Sequence, residues 1–266
     1  MASEPDQLQP RIDENLSRIK NRLLVLSGKG GVGKTTVAVN LALALAQAGL
    51  KVGILDTDIH GPNVPLMLGI KSEAISAGPD GRFSPVNAPQ GVKLMSMALL
   101  VDSSPIIWRG PLKARAIMEF LGNVNWGELD WLVIDSPPGT GDEPLSIAQL
   151  VKATIALVVT TPQEVSAADA RRAIEFTRLV NLRLVGIVVN MTGFVCPHCG
   201  QESPLFPAGA AERIARELGV PILARLPFMP AAAADADQGQ AVVISRPDNP
   251  ISRTFQQLAR QIQPEE

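Results

Sequence analysis

Gly28-Lys29-Gly30-Gly31-Val32-Gly33-Lys34-Thr35 fits the pattern G-x-x-x-x-G-K-S/T. Its setting matters as much as its letters: an apolar run at residues 23–27 precedes it and a helical pattern at 34–48 follows. In that setting each position has a physical task. Gly28, Gly30, Gly31, Val32 and Gly33 offer backbone N–H groups that can curl round an anion, and the glycines keep side chains out of the way. Lys34, Thr35 and Thr36 open the helix, whose N-terminus adds positive potential. Lys34 reaches β- and γ-phosphates, and the Thr35 hydroxyl suits Mg²⁺. The stretch therefore predicts a Mg-nucleotide site, against the blander alternative of a chance Gly-rich turn.

The flanking chain supplies the frame for such a loop. Apolar runs at 23–27, 52–56, 131–135, 155–160, 184–190 and 221–224 read as strands buried on both faces, alternating with helical patterns at 34–48, 112–121 and 166–180. This alternation predicts an α/β fold: a mostly parallel β-sheet with helices on both faces. Ser27, Asp56, Asp135, Thr160 and Asn190 end five of the runs, so they should converge on the carboxyl rim where open sheets bind ligands. Ser166 and Asp169 resemble a capping box. Residues 70–100, rich in Gly, Pro and Ser, read as a hairpin excursion about Asp80-Gly81. Residues 1–20 read as a short polar lead-in, mobile or lightly docked, and 21–266 as a single domain.

Composition narrows the function classes. Hydrophobic residues make up 46% of the 266 and charged residues 19%, enough for a large core and too little charge for disorder. A formal charge of −2 provides no global field for nucleic acid. Apolar stretches are too short to span a bilayer, so no membrane is expected. The polar N-terminus lacks a basic flank and apolar core, and the two cysteines are no disulfide framework; the expected location is cytoplasmic.

Two acidic stretches meet the predicted rim. Asp56-Thr57-Asp58 follows the second strand, and Asp135-Ser136-Pro137-Pro138-Gly139-Thr140-Gly141 follows the third. A Mg-nucleotide site needs such groups: Asp56 beside the ion, Asp135 as the carboxylate holding it through water, and Asp58 to orient an attacking water. The glycines and prolines after Asp135 suit a segment that shifts with the γ-phosphate, or an inert turn.

Cys196-Pro197-His198-Cys199 has the spacing that lets two thiolates chelate one metal centre. Structural zinc and cubane clusters take four ligands, and no third cysteine exists, so a metal would require two subunits. His60 and His198 are poorly placed to complete a site within one chain. A thioredoxin-like redox pair and two inert thiols remain alternative readings.

Residues 29–36 resemble the deviant Walker A signature of MinD-type ATPases. That resemblance implies an ATP-sandwich dimer in which Lys29 reaches the phosphates of the partner's nucleotide. It also implies that Asn190 reads adenine and that Pro227 and Phe228, taken as a loop with Met229 and Pro230, pack around the base. Across residues 23–262 the chain resembles the Mrp (ApbC) group of iron-sulfur cluster carrier ATPases. The shared motifs are residues 29–36, Asp56-Thr57-Asp58 leading to Gly61-Pro62, Trp108-Arg109-Gly110-Pro111, residues 135–142, and Asn190-Met191 leading to Cys196-Pro197-His198-Cys199-Gly200. This implies ATP and Mg²⁺ as cofactors and a [4Fe-4S] cluster bridging Cys196 and Cys199 of a homodimer, passed to apo iron-sulfur proteins with ATP hydrolysis. Many relatives have an extra N-terminal domain or cysteine cluster; here about twenty cysteine-free residues precede the loop strand. Residues 204–211 are also less Gly-rich than the pattern.

Two alternatives stand beside this reading. A positioning ATPase could turn Ile251, Phe255, Leu258 and Ile262 towards lipid, but with only Arg253 and Arg260 as bases and a Pro-Glu-Glu end the tail reads as a helix packing on the core. A dimer could also hold structural Zn²⁺ at the cysteines.

Overall fold

The computed structural model describes residues 5–58, 61–70, 78, 81–99, 110–207 and 209–263. In chain order they form α1 (Pro5–Ser17), β1 (Ile19–Leu26), α2 (Lys34–Gln47), β2 (Val52–Asp56), α3 (Val64–Met67), β3 (Val86–Asn87) and β4 (Lys93–Ser96). There follow α4 (Gly110–Gly122), β5 (Leu129–Asp135), α5 (Asp142–Leu150), β6 (Ile155–Thr160), α6 (Glu164–Leu179) and β7 (Arg183–Val195). The chain closes with β8 (Glu202–Pro204), α7 (Ala210–Leu218), β9 (Ile222–Phe228), α8 (Pro230–Asp237), α9 (Val242–Ser245) and α10 (Pro250–Gln261).

The described strands build one sheet in the order β3-β4-β2-β5-β1-β6-β7-β8, with β9 also paired to β7. All pairings are parallel except β3 with β4 and β7 with β8. Every residue of β2 and β6 is buried, as expected of parallel strands covered on both faces. Alternation within β1 sends Leu24 and Leu26 to a core shared with α1, α4, α5, α6 and α7. Leu23 and Val25 face the other core, under α2, α3, α9 and α10.

The predicted fold class is what the sheet shows, with strand ends where the rim requires them. Asp56 pairs in register with Asp135, and Val25 of β1 pairs with Asp135 from the other side. The three strand ends that carry the acidic and glycine-rich segments are therefore immediate neighbours.

Several local expectations differ from the structure. The polar lead-in contains α1, which buries Leu8, Ile12 and Leu16 at four-residue spacing against α4. Asn15 Nδ2 donates to the carbonyls of Leu121, Gly122 and Val124 at 2.7, 3.2 and 3.0 Å, closing the end of α4. The helix was hidden because its polar majority masks a narrow apolar stripe. Asp80 lies outside the described residues, but a hairpin does occur in this excursion: β3 and β4 turn at Pro89–Gly91. Trp108, Arg109 and His60 also lie outside the described residues.

Helix α6 starts at Glu164, so Ser166 sits inside it, and its Oγ accepts from Thr161 Oγ1 at 2.6 Å instead of capping. Strand β9 runs on to Phe228, taking Pro227 and Phe228 into the sheet where a loop was expected. In the tail, Ile251, Phe255, Leu258 and Ile262 are buried, so the stripe belongs to the core. Among the described residues no helix is long and apolar enough to cross a membrane.

Candidate functional site

Between β1 and α2 the chain makes a loop that only small residues permit. Gly31 and Gly33 have φ of +79° and +85°, the left-handed region in which a Cβ is disfavoured. Gly28 has a different reason to be glycine: a Cβ there would overlap the backbone carbonyl of Asp169 in α6. Val32 is buried and points into the core, so its contribution to the loop is its backbone.

A cavity of about 250 Å³ opens over this loop. Of the residues expected at phosphates or water, Lys29, Gly30, Gly31, Gly33, Lys34, Thr35, Thr36 and Asp58 line it. Lys34 Nζ, however, turns to Asp135 Oδ1 at 2.5 Å, while Thr35 Oγ1 donates to Asp135 Oδ2 at 2.7 Å. Both carboxylate oxygens of Asp135 thus have protein donors, and Asp135, expected to hold Mg²⁺, does not itself line the cavity but is bonded to two residues that do. Thr57 completes the arrangement by donating its N–H and Oγ1 to the Asp135 carbonyl at 3.0 and 2.8 Å.

Asp56, expected beside Mg²⁺, is fully buried one strand away and does not line the cavity. Its Oδ1 accepts the Asp58 N–H at 3.2 Å and its Oδ2 the Ser96 hydroxyl at 2.8 Å. Burial, reinforced by the nearby Asp135 charge, pushes the Asp56 carboxyl up to about 8. Burial also raises Asp135, opposed by the Lys34 ammonium and the donors on its oxygens. Asp56 is thus an orienting group: it holds the turn from which Asp58 reaches the cavity. Asp58 Oδ1 accepts the Gly61 N–H at 3.3 Å. Ser96 and Thr57 were not singled out from sequence, and only strand register reveals their role.

A second, narrower cavity of about 130 Å³ adjoins the first, sharing Gly33 and Thr36. Asn190, Pro227 and Phe228 line it, as does Met191, which sequence reasoning left unassigned. Leu226 and Phe255 add apolar wall, giving a mostly apolar slot that Asn40 and Asn190 also line, a lining suited to a planar base. Asn190 Nδ2 donates to the Val32 carbonyl at 2.9 Å, tying slot to loop.

Oxygen donors and the ammonium at Asp135 suit Mg²⁺ and phosphate chemistry: Thr35 presents a hydroxyl, Asp135 a carboxylate, and the left-handed glycines leave room for an anion.

Cys196 and Cys199 lie elsewhere, in the turn joining β7 to β8, and line neither cavity. Cys199 is exposed and Cys196 half-buried. The turn is closed by Gly200 N–H to Cys196 O at 2.9 Å and Cys196 N–H to Gln201 O at 3.0 Å. Backbone N–H groups of Cys199 and His198 converge on the Cys196 thiol, with a further contribution from the Cys199 side chain, and hold it below its usual value. Among the described residues no third Cys, His, Asp or Glu joins them to make a three-ligand group.

A family profile described as ParA: NUBPL iron-transfer P-loop NTPase matches residues 18–263. An iron-sulfur cluster carrier protein of Methanocaldococcus jannaschii is 47% identical over 96% of this chain and 88% of its own length. One of Saccharolobus solfataricus is 45% identical over 95% of this chain and 86% of its own. Among solved structures, a nucleotide-binding protein of Archaeoglobus fulgidus in complex with ADP superposes with a TM-score of 0.80 and 38% identity, over 92% of this chain and 96% of that one. The cell division ATPase MinD of Pyrococcus furiosus, at 24% identity, shares the fold with a TM-score of 0.68 over 91% and 98% of the two chains.

Proposed function

The chain belongs to the family of NUBPL-type iron-transfer P-loop NTPases, and from that premise we propose that it is an ATP-hydrolysing, homodimeric iron-sulfur cluster carrier. It binds a [4Fe-4S] cluster between the Cys196 and Cys199 pairs of two copies and passes it to apo-proteins in the cytoplasm. The observation that supports this best is the thiol pair at the tip of a hairpin, Cys199 exposed and Cys196 half-buried, two ligands short of a complete cluster site. A second copy supplies the missing two.

The loop glycines receive the phosphates, and Lys34 exchanges its bond to Asp135 for one to the β- and γ-phosphates. Thr35 and Asp135 would hold Mg²⁺, which supplies charge neutralisation on the phosphates when bound. Asp56 acts from behind, fixing the turn of Asp58, and Asp58 orients the attacking water from the cavity wall. Asn190, Pro227 and Phe228 receive the adenine. Lys29, on the cavity edge, reaches the nucleotide of the facing copy, so that hydrolysis resets how the two hairpins meet.

Anaerobic reconstitution with iron and sulfide, followed by metal analysis and mass measurement in solution, tests the reading. About four irons per two chains are expected, falling to background in Cys199→Ala. Equal iron in wild type and variant, iron held by a strict monomer, or stoichiometric zinc in place of iron overturns it.

A further inference from the structure

Strands β7 and β9 run together at Val188–Ala224, Val189–Arg225 and Asn190–Leu226, and meet again at Phe194–Phe228. Between the last two points β7 advances four residues while β9 advances two, so β7 carries a two-residue excess out of the ladder. Met191 opens that excess with φ +57°, a left-handed conformation that side chains with a Cβ seldom adopt. A non-glycine residue held there is kept in place by its surroundings.

Those surroundings are informative on both sides. On the N-terminal side Asn190 is tied to the phosphate loop through the Val32 carbonyl at 2.9 Å, and a Cβ on Gly33 would overlap its amide nitrogen. On the C-terminal side Gly193, Phe194 and Val195 pair with β8, and Cys196 follows at once. Met191 and Phe228 both face the base slot. One segment that lacks regular pairing to β9 therefore joins the loop anchor, the slot wall and the thiol hairpin.

We propose that Met191 is a positioning residue for the cysteines: its left-handed bulge is the hinge through which a purine in the slot sets the orientation of the Cys196–Cys199 turn. This rests on the nucleotide-binding reading above. Upstream, despite a register shift at Ile187–Val188, β7 is paired on both edges, to β6 as far as Val189 and to β9 as far as Asn190, whereas the Met191 stretch has lost both partners and is where the strand yields most readily. A base between Met191 and Phe228 touches both sides of the irregular stretch. That gives the differential contact between filled and empty states that coupling requires.

The test uses the full chain under anaerobic, reducing conditions, with iodoacetamide alkylation of Cys199 followed by mass spectrometry. Rates are compared without nucleotide and with MgADP at saturation, the level being set from each variant's own Kd by calorimetry. Wild type should show a rate ratio of about fivefold or more. Met191→Asn, which accepts the left-handed conformation, should keep that ratio, and Met191→Val, whose β-branch opposes it, should bring it near unity. A wild-type ratio of one with ADP bound, an unchanged ratio in Met191→Val, or loss in Met191→Asn as well overturns the hinge. Should Met191→Val not fold, hydrogen exchange on wild type decides: ADP must alter protection across residues 192–203, and unaltered exchange there removes the proposal. Failure of wild type to bind ADP at all is a separate result, which removes the nucleotide reading and the hinge together.

Discussion

Lys34 Nζ and Asp135 Oδ1 lie 2.5 Å apart in a pocket where the two side chains are 6% and 1% exposed. The pair joins the first residue of α2 to the last of β5, and each partner compensates the other's burial. Removing one charge from a buried pair leaves the other uncompensated. Lys34→Ala should therefore lose ATP hydrolysis and also unfold more easily, by about 3 kcal/mol near neutral pH. The loss should shrink as pH falls, because Asp135, already raised by burial, can take up a proton. Urea titrations of Lys34→Ala and of the double variant with Asp135→Asn check this; the double variant should recover part of the stability.

Asp56 predicts an unusual pH trend. Its folded value is about 8 against an ordinary 3.8, so both states are protonated in strong acid and the group then contributes nothing. As pH rises from about 4 to about 8 the unfolded chain releases a proton that the folded chain retains, and stability falls. Asp56→Asn cannot ionise and should escape this decline, gaining on wild type by on the order of 1 kcal/mol per pH unit across that window. Denaturant midpoints measured at about pH 5 and about pH 8 decide; parallel curves for the two proteins would contradict the assignment.

Gly28 and Gly30 should separate folding from ligand binding. A Cβ on Gly28 collides with the backbone of α6, which cannot rotate away, so Gly28→Ala should cost about 2–3 kcal/mol of stability. A Cβ on Gly30 finds its nearest neighbour, Pro138 Cγ, at 4.0 Å. Gly30→Ala should leave stability within about 0.5 kcal/mol of wild type while weakening nucleotide binding at the cavity it lines. Thermal melts and ADP calorimetry on both variants provide the comparison.

Asn15 tests the docking of α1. Its amide satisfies three carbonyls at the end of α4, and Asn15→Ala leaves them without that donor. A loss of about 1–3 kcal/mol is expected in urea unfolding, although the residue touches neither cavity. Wild-type stability in this variant would mean that α1 is only loosely seated.

Much of the frame was legible because its signals are local. Continuous apolar runs identify β2 and β6 as buried parallel strands, and a glycine-rich loop between a strand and a helix needs no long-range information to be read. The helix α1 was not legible: Leu8, Ile12 and Leu16 are a thin stripe among polar residues, and only the surface of α4 makes it a core element. Pro227 and Phe228 were expected in a loop from the resemblance, yet they close β9, where Phe228 pairs with Phe194 of β7 across the bulge.

From its residues alone, the chain determined the sheet, the phosphate loop and the carboxylates at the rim, since hydrophobic period and backbone sterics act within a few neighbouring positions. Tertiary structure decided which of those carboxylates meets Lys34, that Asp56 supports Asp58 from behind, and that Met191 stands between the slot and the thiols. Those relations depend on register between strands distant in sequence, which the hydrogen-bond ladder sets only when the whole sheet closes.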